Sequence, residues 1–124
     1  MIWLIKALNR DEKGFTLIEL IAVIAILGIL AAIAIPRITG SVSTAKTNAD
    51  KANAQIIGQA AERYMTEKGL DKVPNDNINQ LVADGYLNKV PKTSANGDFI
   101  LCTSDSKATV KIGTIEYYPT PPSN

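Results

Sequence analysis

Residues 13–36 read KGFTLIELIAVIAILGILAAIAIP, and from Phe15 to Ile35 the only polar side chains are Thr16 and Glu19. As an α-helix this run would extend about 31 Å, the thickness of a bilayer's hydrocarbon core at about 30 Å. A secretory signal has a shorter apolar core ahead of a small-residue cut site, whereas this run passes directly into further helical pattern, so it reads as a retained anchor. Lys6, Arg10 and Lys13 precede it, and Arg37, Lys46 and Lys51 follow it. The count is balanced, and the residues nearest the span favour an N-terminus on the cytoplasmic side.

Glu19 is the exception within the apolar run. An ionised carboxylate in lipid costs about 2.5–3.5 kcal/mol on insertion scales. Two readings account for it. Lying about one turn into the span, it snorkels to the interface; or it waits for a positive group from another chain, so that its desolvation favours association until the charge is paired.

Working outward on the C-terminal side, Ile38, Val42, Ala45, Ala49, Ala52, Ile56, Ala60 and Tyr64 recur every three or four residues and predict an amphipathic helix. Ser43, Lys46, Asp50, Lys51, Gln55, Gln59, Glu62 and Arg63 fall on the other faces and are expected in solvent or against a second subunit. Lys68 and Gly69 mark its end. A helix over about 15–68 would be roughly 81 Å long. The residues left over are too few to cover it, so its exposed apolar half requires lipid or sister subunits. Gly28 and Pro36 lie inside it as weak points, costing about 1 and 3 kcal/mol relative to Ala.

Beyond Gly69 the chain predicts a small head. Pro74, Asn75, Asp76 and Asn77 make a turn-rich linker, a short helix runs from Ile78 to about Asp84 before Gly85, and strands lie near 98–103, 108–112 and 114–118. The alternation slips at Gly113, which predicts a bulge or tight turn. So small a head needs the long helix for its core, and Ile56 and Tyr64 are expected to supply it. Pro119, Pro121 and Pro122 predict an extended tail. The fold class is α+β: a long N-terminal helix with a small antiparallel β-sheet packed on its second half.

The composition narrows the function. The 124 residues fit one domain. With 13 basic against 12 acidic side chains and no basic patch interleaved with aromatics, direct nucleic-acid binding by a single subunit is disfavoured. There is no His and a single Cys, Cys102, which excludes His catalysis, an internal disulfide and a Cys-rich zinc site. Cys102 is expected to be a buried, inert thiol. No phosphate loop or nucleophile constellation occurs, so no enzyme, cofactor or catalytic residue is expected, and no metal site. Asp98 and Asp105 flank a strand, where carboxylates serve either a cation site or turn chemistry, and turns are the role expected.

The string KGFTLIEL, Lys13 to Leu20, with AAIAIP ending at Pro36, resembles the type III signal of type IV prepilins and pseudopilins. The likeness is close over about the first 40 residues and general beyond, and LVADGYLNKVP from Leu81 to Pro91 resembles the helix and turn that follow the long helix in many pilins and major pseudopilins. The resemblance implies a leader over 1–14, a membrane and filament-core half over 15–36 and a head over 37–124. It implies that a prepilin peptidase cuts between Gly14 and Phe15 and methylates the Phe15 amine. It also implies that Glu19 pairs with the N-terminal amine of a neighbouring subunit, and that the helix unwinds locally near Gly28 and Pro36 in the filament. The other implied partners are a cytoplasmic membrane before assembly, an assembly platform with its ATPase, and further copies of the chain. The disulfide loop common in such heads is absent. The main expectation is a major pilin-like subunit of a type IV pilus serving adhesion, motility or DNA uptake. The alternative is a major pseudopilin of a type II secretion or competence system, and a third reading is an unprocessed signal-anchored protein with a binding head.

Overall fold

A computed structural model describes residues 14–123. The leader residues Met1, Lys6, Arg10 and Lys13 lie outside the described residues. Helix α1 (Leu17–Lys68) is followed by a 3-10 turn (Pro74–Asp76), α2 (Ile78–Ala83), and three strands, β1 (Ile100–Ser104), β2 (Lys107–Ile112) and β3 (Ile115–Tyr118). The α+β class and the long N-terminal helix are as the sequence predicts. The chain divides into two compact units, residues 1–41 and 42–124.

In the first unit, helix begins where Thr16 caps it. Every side chain from Phe15 to Ile35 is exposed, Phe15 at 85%. This is the one helix among the described residues long and apolar enough to cross a membrane. Pro36 lies within α1 without ending it. Its ring removes one backbone donor, and the Thr39 hydroxyl donates nearby to the Ile35 and Pro36 carbonyls at 3.2 and 3.0 Å.

In the second unit, β1, β2 and β3 form one antiparallel sheet in sequential order. Its inner face packs Leu101, Ala108 and Val110 into a core with Ile57, Ala61, Tyr64 and Met65 of α1, Leu81 of α2, Val73 and Phe99. Each large side chain so buried is worth about 1.5–3 kcal/mol. The helix closes with Gly69 at φ +65° and a bond from Leu70 N–H to the Met65 carbonyl at 2.9 Å, a Schellman ending.

Three expectations need correction. The core-facing stripe of α1 runs Asp50, Ala54, Ile57, Gly58, Ala60, Ala61, Tyr64 and Met65, so Ala60 and Tyr64 of the predicted stripe are buried as expected, whereas Ile56 is 51% exposed and its neighbour Ile57 is fully buried in its place. Both faces are apolar here, so periodicity alone did not separate them. On the buried face, Gly58 leaves room for the ring of Tyr118. Asp50, expected in solvent, is buried because Ser94 satisfies its carboxylate, with N–H at 2.7 Å and Oγ at 2.8 Å. Cys102 is exposed rather than buried, since strand alternation turns its neighbours Leu101 and Thr103 inward. The slip near Gly113 resolves into two features: Gly113, at φ +60°, lies in the β2–β3 turn, and the register shifts between Val110 and Lys111.

Candidate functional site

The predicted site residues lie at the start of α1 and along its exposed apolar part. Gly14 has φ +78°, a left-handed conformation that favours glycine, and nothing approaches within 4 Å of where its Cβ would be. The Gly14–Phe15 bond therefore lies in exposed, non-helical chain ahead of α1. Gly28 and Pro36 are both helical and exposed.

Glu19 is engaged. Its Oε2 accepts from the Thr16 backbone N–H at 2.9 Å, and the Thr16 Oγ1 accepts from the Glu19 backbone N–H at 3.3 Å. The two residues form a capping box, each satisfying a backbone donor that the first helical turn leaves open. A carboxylate there also complements the positive end of the helix dipole. The spacing T-x-x-E in Thr16–Glu19 signals this arrangement in the sequence, and Thr16 was missed as its partner.

The head carries three polar ties to α1. The Tyr118 hydroxyl donates to Glu62 Oε2 at 2.8 Å, and the Ala108 N–H donates to Glu62 Oε1 at 3.4 Å, so Glu62 holds β2 and the end of β3. Burial, then the Glu62 bond, pushes the Tyr118 hydroxyl up to about 12. The Tyr86 hydroxyl donates to Glu67 Oε2 at 2.7 Å, and Arg63 pairs with the other oxygen at 2.9 Å. The Tyr86 bond, then the Arg63 bond, holds Glu67 below the usual carboxylate range. The third tie is Asp50 to Ser94. Behind β1, Thr103 receives Val73 N–H on its hydroxyl at 3.0 Å and gives its own N–H to Asp76 at 2.9 Å. Asp98 pairs with Lys92, and Asp105, at φ +51°, lies in the turn between β1 and β2. Among the described residues no group of three or more metal-ligating side chains occurs. These are structural contacts.

Residues 9–35 match the family model for the prokaryotic N-terminal methylation motif, a span that contains Gly14, Phe15 and Glu19. The chain is also 36% identical over 96 residues to type II secretion system core protein G of Pseudomonas aeruginosa, covering 67% of this chain and 68% of that protein. The chain belongs to the type IV pilin and pseudopilin family. No solved structure matches it. Membership in this pilin and pseudopilin family makes the chain a pilin-type subunit and points away from an enzyme. The exposed apolar start of α1 fits membrane anchoring of such a subunit.

Proposed function

We propose that the chain is a major pseudopilin-type subunit of a type II secretion machine. The observation that carries this reading is the likeness to type II secretion system core protein G, which extends past the methylation motif into the head. In this reading the chain waits in the cytoplasmic membrane, N-terminus inside, anchored by the apolar part of α1. A prepilin peptidase and methyltransferase cuts between Gly14 and Phe15 and methylates Phe15. An assembly platform and its ATPase then add the subunit to an envelope-spanning filament of identical chains. Glu19 exchanges its capping contact for the Phe15 amine of a neighbour, which supplies the positive partner that a carboxylate in apolar surroundings requires. Gly28 and Pro36 are the positions where α1 yields as it leaves lipid for the filament.

Deletion of the gene and complementation test the reading. The expected result is loss of secretion of folded exoproteins, restored by the wild-type chain. Intact secretion with loss of long surface fibres would overturn it in favour of a pilus subunit. Mass spectrometry of the membrane form adds a separate check: an N-terminus other than methylated Phe15 removes the processing step.

A further inference from the structure

Residues 93–97 read TSANG, and Asn96–Gly97 is the one Asn–Gly pair in the sequence. In such a pair the glycine nitrogen, once it gives up its proton, attacks the asparagine side-chain carbonyl carbon. A carbon–nitrogen bond forms, ammonia leaves, and the resulting cyclic imide is opened by water to Asp or isoAsp. No oxidant or cofactor is consumed. Glycine favours the reaction because no side chain crowds its nitrogen.

Asn96 is exposed and held at φ +60°. The attacking nitrogen beside it is restrained. Gly97 N–H donates to Thr93 Oγ1 at 2.8 Å, the Gly97 carbonyl accepts from Thr93 N–H at 3.0 Å, and Asn96 N–H donates to the Thr93 carbonyl at 2.8 Å. Thr93 is only 6% exposed, and the next residue, Ser94, is anchored to the buried Asp50 through both its N–H and its hydroxyl. Ring closure requires Gly97 nitrogen to lose the proton it shares with Thr93 and to turn towards the Asn96 side chain. Both steps are opposed while the loop stays docked on α1.

We infer that Asn96 is a latent deamidation site, kept closed in the folded chain by the Thr93 hydroxyl, which the Asp50–Ser94 clamp holds in place. Modification adds a carboxylate two residues from Asp98. The isoAsp product also inserts a carbon into the main chain between the residues that Thr93 bonds, so the loop no longer closes on Thr93 as before. The inference is independent of the secretion reading.

The test incubates the full chain in detergent micelles at mildly alkaline pH and follows residue 96 by peptide mass mapping and isoaspartyl-specific methyl labelling. Urea-unfolded wild type gives the unrestrained rate. Folded wild type should react at least about fivefold more slowly, the factor that one net hydrogen bond corresponds to. Thr93→Val should react about fivefold faster than folded wild type on the same ground. Ser94→Ala should also react faster, and it carries the test if Thr93→Val does not fold. Folded wild type reacting at the unfolded rate would overturn the inference. So would folded variants that react no faster than wild type.

Discussion

The ring of Tyr118 lies directly over Gly58: a Cβ built on Gly58 would fall 2.2 Å from Tyr118 Cδ1. Gly58 sits inside α1, where glycine costs about 1 kcal/mol relative to Ala. Here the absent side chain admits the tyrosine, whose hydroxyl then reaches Glu62 one turn further along the helix. Gly58→Ala should destabilise the second unit by about 1–3 kcal/mol through overpacking. Thermal unfolding of the full chain should show the loss, and the same substitution in a Tyr118→Ala background should cost much less, because the clash has been removed. Equal costs in both backgrounds would disprove the contact.

Alkaline titration probes the same pair. Burial and then the Glu62 bond raise Tyr118 to about 12, so its neutral form is favoured in the folded chain. Its contribution is complete below the ordinary tyrosine range near pH 10 and is lost as pH rises through about 12. Tyrosinate absorbance should contain a late-ionising component that Tyr118→Phe abolishes.

Glu67 behaves in the opposite sense. The Tyr86 and Arg63 bonds lower its carboxyl, so its contribution is present above the ordinary carboxylate range and fades as pH falls through the lowered value. NMR titration of Glu67 should move upward in Tyr86→Phe, and an unchanged curve would remove the Tyr86 bond from the account.

Replacing Glu19 separates insertion from assembly. Glu19→Ala should still enter the membrane and be processed, yet form few filaments. Thr16→Ala, which removes only the cap, should speed hydrogen exchange in the first turn of α1 in keeping with a loss of about 0.5–2 kcal/mol. Normal filament yield from Glu19→Ala would make the carboxylate a cap and nothing more.

Cys102 should react with a maleimide in the folded chain without denaturant, because β1 turns it to solvent. Labelling that waits for unfolding would contradict the strand register.

Much of the architecture is legible in the sequence because the signals are long or chemically unambiguous. The run from Phe15 to Ile35 admits little but an exposed apolar helix, Lys68–Gly69 marks its end, and the Asn and Gly residues mark the turns. The inner face of α1 was legible only in part: Ala60 and Tyr64 are buried as the period implies, and Ile56 is not. Ile56 and Ile57 are adjacent and equally apolar, and only the sheet's position decides which is buried. Asp50 was misplaced for a related reason: a carboxylate enters a protein interior only when donors await it, and its donor, Ser94, lies far along the chain.

By itself the sequence determined the long apolar helix start, the α+β class and the Gly14–Phe15–Glu19 motif that marks the family, because each depends on neighbours a few residues apart. Tertiary structure alone decided that Gly58 receives Tyr118 and that Asp50 holds the Thr93–Gly97 loop. Those choices depend on which distant residues the folded head brings together, and no local period encodes that.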